Sequence, residues 1–324
     1  MPDIAQHHAF GQSVREALPQ EIREALLDVP YLFALYGPDP WFMLQPWTRR
    51  QGRGRQMHTT RTGEFLTALA RQARDGKTPA ETFSYLAGFL CHYALDSTAH
   101  PYIIWQTTET WPTKRAHRDL EHALDAALLR REGFWGEKHP VTDHHFPALQ
   151  LPAGMASDLE SVFQRSYGWT EVLPALNRCY RLYRLMFRQM EIPHSFWTGL
   201  SRVFPTSRFR SVPYVRSAFL DRDVENLSHQ VWHFPCAREI SSTKSYPELF
   251  EEARLQAVQL ICDCWNFCRN HTMEEAELSR RIGNRSYLSG LDWRDPRNRL
   301  VRSLAPSDDP DLSGSRTGSG KGAP

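Results

Sequence analysis

Three side chains that could bind a metal ion lie within one apolar stretch of the sequence, between Phe83 and Tyr102. His92, Asp96 and His100 are each four residues apart, so a helix would place them along one face with a drift of about 40° per step. Because most other residues here are apolar, this helix is predicted to be buried. Unpaired polar groups are costly in an apolar core, so these side chains must share hydrogen bonds or bind a cation, and imidazole with carboxylate suits zinc.

A second pair with the same spacing follows on a separate predicted helix. His117 and Glu121 lie four residues apart between about Lys114 and Arg131, where the pattern of apolar residues is helical. Two pairs of imidazole and carboxylate on different helices are hard to ascribe to chance. The residues alone therefore favour a zinc site, with a hydrogen-bonded polar network in the core as the alternative.

A rigid turn and a basic segment precede these helices. The turn at residues 36–40 contains two prolines, which fix the backbone and hold Asp39 in a defined direction. From Thr48 to Gln56 a polar run with two glycines carries four arginines, and we interpret it as a loop. This loop is either simply solvated or, through Arg53 and Arg55, a clamp for phosphate oxygens.

The hydrophobic pattern predicts an all-α fold. Pro101 is expected to end the helix that carries His92. Ser245 and Glu248 have the spacing of a capping box at the start of the last long helix. The predicted helices cover about residues 8–27 with a break at Pro19, 62–74, 79–100, 114–131, 156–164, 171–190 and 245–267.

Two regions lack a helical pattern. Residues 191–244 contain scattered prolines and are predicted to be irregular, with no strand-rich region anywhere. After Arg302 the chain is rich in serine and glycine and lacks the apolar content to fold. We therefore expect one compact multi-helix domain over residues 1–301, followed by a disordered tail over residues 302–324.

Composition restricts the possible partners and the location of the protein. The 324 residues include 39 basic and 37 acidic side chains, so the net charge of +2 predicts no stable nucleic-acid partner. No signal peptide or transmembrane run is recognisable, and we expect a soluble, cytoplasmic protein. The six cysteines are expected to be reduced thiols. Cys262, Cys264 and Cys268 are interpreted as buried thiols on an apolar helix, with a thiolate metal site as the alternative.

In these residues the chain resembles the zinc-dependent phospholipase C family, in particular its intracellular bacterial branch, which is related to secreted lecithinases and fungal zinc nucleases. That family has a nearly all-helical domain with three zinc ions, held by a histidine near the amino terminus, a turn aspartate, a further histidine, an H-x3-D helix with a later histidine, and an H-x3-E helix. The residues that match this series are His7, Asp39, His58, His92, Asp96, His100, His117 and Glu121. The likeness is strong to about residue 131, and weaker at Asp223–Pro235 and Gly283–Tyr287.

The resemblance implies two to three zinc ions per chain. One would be held by Asp39, His58, His92 and Asp96, and a second by His100, His117 and Glu121. Asp96 would bridge to a third zinc that is held by His7. Secreted relatives complete this third site with the amine and carbonyl of their terminal residue. Here, removal of the initiator methionine would make Pro2 the corresponding ligand, whereas a frayed terminus is the alternative.

The resemblance also implies an activity. A phosphodiester, with phospholipid as the leading candidate, would be hydrolysed as by a phospholipase C, and Asp39 would orient the attacking water. A second hypothesis is a nuclease or another small-molecule phosphoesterase with the same metals. A third is a non-catalytic helical protein with structural zinc. Trp41, Phe42 and Trp47 are candidates for contact with a lipid head group. A di-iron bundle is disfavoured because it requires E-x2-H pairs.

Overall fold

The computed structural model describes residues 4–43, 52–112, 116–132, 141–191 and 221–299. Within these ranges the chain is mainly helical, and its one sheet is a two-stranded hairpin, which confirms the all-α fold class. The helices are α1 (Ile4–Ala17), α2 (Gln20–Ala25), α3 (Asp28–Ala34), α4 (Arg53–Thr59), α5 (Thr62–Asp75), α6 (Pro79–Trp105), α7 (Ala116–Arg131), α8 (Val141–His145), α9 (Ala156–Tyr167), α10 (Val172–Glu191), α11 (Tyr246–Trp265) and α12 (Glu275–Ile282).

Short helical turns supplement these helices. A 3-10 turn at Asp39–Met43 precedes α4, and another at Ala153–Met155 leads into α9. A π-helical turn extends α6 over Gln106–Thr110, and a second extends α11 over Asn266–Asn270. The expected domain end at residue 301 and the expected tail at 302–324 lie outside the described residues.

Helix α6 is the centre of the fold. Every residue from Thr82 to Ile104 is buried except Thr98, as the apolar sequence predicts. Helices α1, α3, α5 and α11 pack around it. A helix enclosed on all sides has no solvated face, so its polar side chains must find their partners within the core.

Pro101 does not end α6, and the expectation that it would is wrong. The helix continues to Trp105 because Tyr102, Ile103 and Ile104 are buried, and this packing outweighs the local effect of the proline. Pro101 has no backbone N–H, so it cannot donate the usual helical hydrogen bond to the carbonyl of Ser97. Gly290, at φ +70°, approaches this carbonyl so closely that a β-carbon would lie 2.7 Å from its oxygen.

Two further predictions are corrected in detail. The basic run at 48–56 is helical from Arg53 onward, because Met57 and His58 at the end of α4 are buried in the core. Residues 191–244 are not irregular throughout, since β1 (Trp232–Phe234) and β2 (Ala237–Ser242) form an antiparallel hairpin. The buried Trp232 anchors this hairpin through a hydrogen bond from its indole Nε1 to the carbonyl of Lys244 at 3.0 Å.

The capping box of the last long helix is confirmed. The Ser245 hydroxyl accepts from the Glu248 amide, and the Glu248 carboxylate accepts from the Ser245 amide at 2.8 Å. The cysteines of this region are free thiols, of which Cys264 and Cys268 are buried. Within the described ranges, no helix is both long enough and apolar enough to span a membrane.

Candidate metal centre

Five segments bring the eight side chains of the predicted series together. Helix α6 supplies three of them and α7 two, while α1, the 3-10 turn at Asp39 and α4 supply one each. All are buried except His117, which is partly exposed. The potential ligand atoms form three groups, each within 4.8 Å, made of His7, Asp39 and His92, of His58, His92 and Asp96, and of His100, His117 and Glu121.

Asp96 lies at the centre of the cluster and faces a different set of histidines with each carboxylate oxygen. Its Oδ1 is 3.4 Å from Nε2 of His7. Its Oδ2 is 3.2 Å from Nε2 of His92, 3.9 Å from Nε2 of His58 and 3.5 Å from Nδ1 of His100. A carboxylate shared in this way has the arrangement expected of a bridging ligand.

Asp39 and His7 complete this side of the cluster. Oδ1 of Asp39 is 3.2 Å from Nε2 of His58 and 3.9 Å from Nε2 of His92. The ring of His7 stacks on the ring of His92 with centroids 4.2 Å apart. The turn before Asp39 is held close by Gly37, at φ +46°, where a β-carbon would lie 2.4 Å from the His92 ring.

The second group lies at the interface between α6 and α7. Oε1 of Glu121 is 2.9 Å from Nε2 of His117 and 3.7 Å from Nε2 of His100. The rings of His100 and His117 are parallel within 11°, with centroids 5.5 Å apart. This group is the same set that the resemblance assigns to the second zinc.

Three histidines are oriented by backbone carbonyls. Because a carbonyl oxygen only accepts, each Nδ1 must carry the proton and each Nε2 has its lone pair directed into the cluster. The Nδ1 donors, acceptors and distances are His58 to Gly54 (2.7 Å), His92 to Leu35 (3.2 Å) and His100 to Tyr287 (2.9 Å). Such a bond from the second ring nitrogen is typical of metal-ligating histidine.

The residues of the cluster fit zinc. Several of their buried polar atoms make no hydrogen bond of acceptable geometry within the described structure, although neighbouring nitrogens and oxygens are only 3.2–3.9 Å apart. These atoms are both ring nitrogens of His7, Oδ1 of Asp39, Nε2 of His92, both oxygens of Asp96 and Nε2 of His100. Leaving a buried polar atom unsatisfied costs about 1–3 kcal/mol, so lone pairs that converge in this number indicate a cation.

Burial tunes the protonation of the cluster. It lowers the pKa of His7, and it holds the pKa of His100 and of His117 well below the usual range. Burial opposes the ionised form of Asp96, but His92 and His100 bring its pKa well below the usual value. At His92 burial lowers the pKa, but Asp96 and Asp39 outweigh it and the pKa is raised. Neutral His7, His100 and His117 beside the ionised Asp96 are in the protonation states that zinc requires.

Asp125 is a positioning residue that the sequence interpretation missed. Its two carboxylate oxygens accept from the backbone amides of Ala5 and Gln6, at 3.0 and 3.1 Å, and so cap the start of α1. Gln6 adds a side-chain bond to the carbonyl of Leu124 at 2.8 Å. The next residue is His7, so α7 fixes the position of that histidine. The sequence did contain an indication that Asp125 belongs with the site, because it continues the four-residue spacing of His117 and Glu121.

Tyr287 was also missed as part of the site. Its amide donates to the carbonyl of His58 at 3.1 Å, and its carbonyl accepts from His100. Its buried ring packs against the rings of His58 and His92, with centroids 5.4 and 5.6 Å away. Only the weak family likeness of residues 283–287 pointed to this segment.

The predicted substrate-binding residues, Arg53 and Arg55, lie on α4, the helix that also supplies His58. The Arg53 guanidinium packs over the indoles of Trp41 and Trp169, 5.2 and 4.7 Å from their centroids. Burial lowers the pKa of Arg53. Arg55 is partly buried one turn before Thr59, whose hydroxyl donates to its carbonyl.

Of the aromatic candidates for head-group contact, Trp41 is fully buried and Phe42 is 37% exposed. The Phe42 ring lies 5.2 Å from that of His58. Trp47 and the proposed ligand Pro2 lie outside the described residues.

Comparison with known proteins relates the chain to a family. Residues 7–166 match the family model described as zinc dependent phospholipase C. No curated protein and no solved structure matches the chain. Because the matched segment contains all eight side chains of the cluster, it identifies the chain as a member of the zinc-dependent phospholipase C family.

Proposed function

We propose that the protein is a zinc-dependent phosphoric ester hydrolase that cleaves a phosphodiester in the manner of a phospholipase C. One observation supports this proposal above all, the set of buried nitrogen and oxygen atoms around Asp96 that converge without hydrogen-bond partners among the described residues. A structural zinc site needs four ligands, whereas this cluster offers eight side chains in three groups, two of which share His92. Several adjacent metals suit phosphate chemistry.

The proposed ligands divide among two or three zinc ions. Asp39, His58, His92 and Asp96 would hold the first, and His100, His117 and Glu121 the second. A third would lie between Asp96 and His7, with Pro2 as a further ligand from the amine of the mature terminus. The short distances between His7, Asp39 and His92 support a site on this side of Asp96.

The chemistry divides between metal and protein. Bound zinc would supply Lewis acidity toward phosphoryl oxygens and lower the pKa of a coordinated water towards about 7. Asp39, fixed by the turn that begins with Tyr36, would orient the attacking water and take up its proton. The Arg53 guanidinium, held on two indole faces, and Arg55 would bind substrate phosphate oxygens.

The proposed substrate is a phosphate ester, with phospholipid first among the candidates. Cleavage of a phospholipid on the glycerol side of its phosphate would release diacylglycerol and a phosphorylated head group. The net charge of +2 supports the expectation that no nucleic acid is a stable partner. The cytoplasmic location remains a prediction, which cell fractionation would test.

Elemental analysis combined with a substrate panel tests the proposal. We expect two to three zinc ions per chain and turnover of a phospholipid or of a chromogenic phosphodiester. Turnover of nucleic acid or of phosphomonoesters alone would favour a nuclease or another small-molecule phosphoesterase. Bound zinc without turnover would favour a structural role for the metal. Loss of a third zinc when a tag blocks the terminal amine would support Pro2. For variants in which a histidine of the cluster is changed to alanine, the exposed His144, also changed to alanine, is a matched control.

A further inference from the structure

One face of α10 is basic and apolar and is exposed. Its exposed side chains recur at helical spacing, so they share one side of the helix. We call them the α10 stripe, which consists of Arg178, Arg181, Leu182, Leu185 and Arg188. Leu182 and Leu185 are 39% and 52% exposed, whereas Leu176, Cys179 and Tyr180 on the opposite face are buried in the core.

The charges of the α10 stripe are not compensated. Within the part of the chain that the structure describes, none of its three arginines forms an ion pair with a carboxylate. The contrast is Arg184, which lies beside the stripe and donates to Oδ1 of Asp143 at 3.0 Å and to the carbonyl of Phe146 at 2.7 Å. Three arginines without such ion pairs create a strong local positive potential on a chain whose net charge is only +2.

An apolar cleft opens along one edge of the stripe. The cleft has a volume of about 300 Å³ and lies between α10 and the segment that precedes α9. Leu151, Leu173 and Pro174 supply apolar lining, and Arg181 of the stripe lies at its rim. A guanidinium beside an apolar cleft matches the chemistry of a lipid, which joins a phosphate to hydrocarbon.

Helix α10 is adjacent to the metal centre. Its inner face packs against the 3-10 turn at Asp39–Met43, and its buried Cys179 lies near Arg53. A partner that engaged the α10 stripe would therefore bind to the helix that supports the turn of Asp39.

We propose that the α10 stripe docks the protein on membranes that contain anionic phospholipid. This inference rests on the proposed function, because a phospholipid substrate would be found in such a membrane. Arginines that flank exposed leucines on one helical face are typical of helices that lie in a membrane interface. The two leucines alone are too few for the apolar centre of a stable protein interface, whereas charge and leucines together suffice for reversible membrane binding.

Sedimentation of the full chain with vesicles tests this inference. We expect binding to vesicles of phosphatidylcholine with phosphatidylserine, little binding to phosphatidylcholine alone, and weaker binding as salt is raised. Changing Arg178, Arg181 and Arg188 together to glutamine should weaken binding on the order of a hundredfold. Changing Leu182 and Leu185 together to glutamine should weaken it on the order of tenfold.

Matched controls separate the stripe from general surface effects. Leu255→Gln changes a leucine that is 60% exposed on α11, and Arg280→Gln changes an exposed arginine on α12. Both control variants should bind as the unchanged protein does. Light scattering in solution should show the same mass for the leucine variant and the unchanged chain, because the stripe is expected to contact lipid and not a second copy of the chain.

Three results would overturn the inference. They are no sedimentation with anionic vesicles, equal binding by the arginine variant, and a lower mass for the leucine variant, which would mean that the stripe contacts a second copy. Turnover of a water-soluble phosphodiester is measured in the same samples. Its absence, together with vesicle binding that depends on the stripe, would count against the proposed function and leave the docking surface supported.

Discussion

Nδ1 of His100 donates a hydrogen bond to the carbonyl oxygen of Tyr287 at 2.9 Å, across 187 residues of sequence. The amide of Tyr287 donates in turn to the carbonyl of His58 at 3.1 Å. One residue of the carboxyl-terminal segment thus connects two histidines from different groups of the cluster. The geometry of the metal centre therefore depends on a segment that supplies no ligand.

The side chain of Tyr287 should be necessary for this connection. Tyr287→Ala removes a buried ring that packs on His58 and His92, and we expect a loss of about 3–4 kcal/mol in the free energy of unfolding. Zinc affinity should also fall by about 10–100-fold, because the carbonyl that orients His100 is released. Thermal unfolding and chelator competition measure the two effects. Tyr287→Phe keeps the ring and should behave as the unchanged protein; equal zinc affinity in the alanine variant would contradict the role of this segment.

Asp96 should matter more for metal content than any other residue of the cluster. Asp96→Ala and His92→Ala are expected to lose the most zinc, since Asp96 faces four histidines and His92 belongs to two of the three groups. Glu121→Ala should lose only the zinc of the second group. Elemental analysis of the purified variants gives these numbers directly. An Asp96→Ala protein that retained all its zinc would exclude a bridging role for this carboxylate.

The predictable part of the site was the part that depends on local geometry. A spacing of four residues means one helical face wherever the helix lies, so the pairs on α6 and α7 could be found without a structure. The sequence pattern placed His7, Asp39 and His58 in no pair of this kind, and only the family likeness connected them with the rest. The structure then brings all three within reach of Asp96 or His92.

The features that were missed depend on contacts between distant segments. Tyr287 acts through its backbone groups, and these leave no pattern in the side chains. Pro101 was expected to end α6 because the local rule holds for an exposed helix, whereas here the buried residues that follow keep the helix intact. Asp125 was detectable in principle, but its role as a cap depends on where α1 begins.

Asp39→Asn should impair catalysis far more than it impairs folding. The amide keeps the size of the side chain but cannot take up a proton from water, so turnover should fall by about 10²–10⁴-fold. The free energy of unfolding should change far less. Steady-state kinetics on a chromogenic phosphodiester, with zinc content measured in the same sample, checks this expectation. Asp28→Asn, at an exposed position, is the control. Full turnover by the Asp39→Asn variant would remove this residue from the mechanism.

Asp125 should control the position of His7. Asp125→Ala leaves the amides of Ala5 and Gln6 without their cap, and we expect a loss of about 1–2 kcal/mol in stability. The zinc nearest His7 should also be released at a lower chelator concentration. Asp125→Asn keeps one carbonyl oxygen as an acceptor and should give an intermediate result. Loss of stability with unchanged release of every zinc ion would restrict Asp125 to a purely structural role.

Asp158, which is remote from the metal ligands, should make the free energy of unfolding depend on pH in the acidic range. Its carboxylate accepts from the amides of Lys77 and Thr78, the Thr78 hydroxyl and the Gln72 side chain, at 2.7–3.0 Å, and so holds the start of α6. Burial opposes ionisation, but these bonds bring the pKa of Asp158 below its ordinary value of 3.8. Because the pKa of Asp158 is lower in the folded protein, its contribution to stability is complete above the ordinary value of 3.8 and is lost as the pH falls through the folded pKa.

Denaturant unfolding of the metal-free protein at several pH values tests this expectation. Asp158→Asn should lower the free energy of unfolding at pH 7 by about 2 kcal/mol, since several bonds to a charged acceptor are weakened. The difference from the unchanged protein should shrink as the pH falls below about 4, where Asp158 of the unfolded chain becomes protonated, and should vanish below the lower pKa of the folded protein, where the native carboxylate is protonated too. Asp28→Asn at the exposed start of α3 should show little difference at any pH. A constant difference between the Asp158 variant and the unchanged protein across this range would mean that the charge of Asp158 does not stabilise the start of α6.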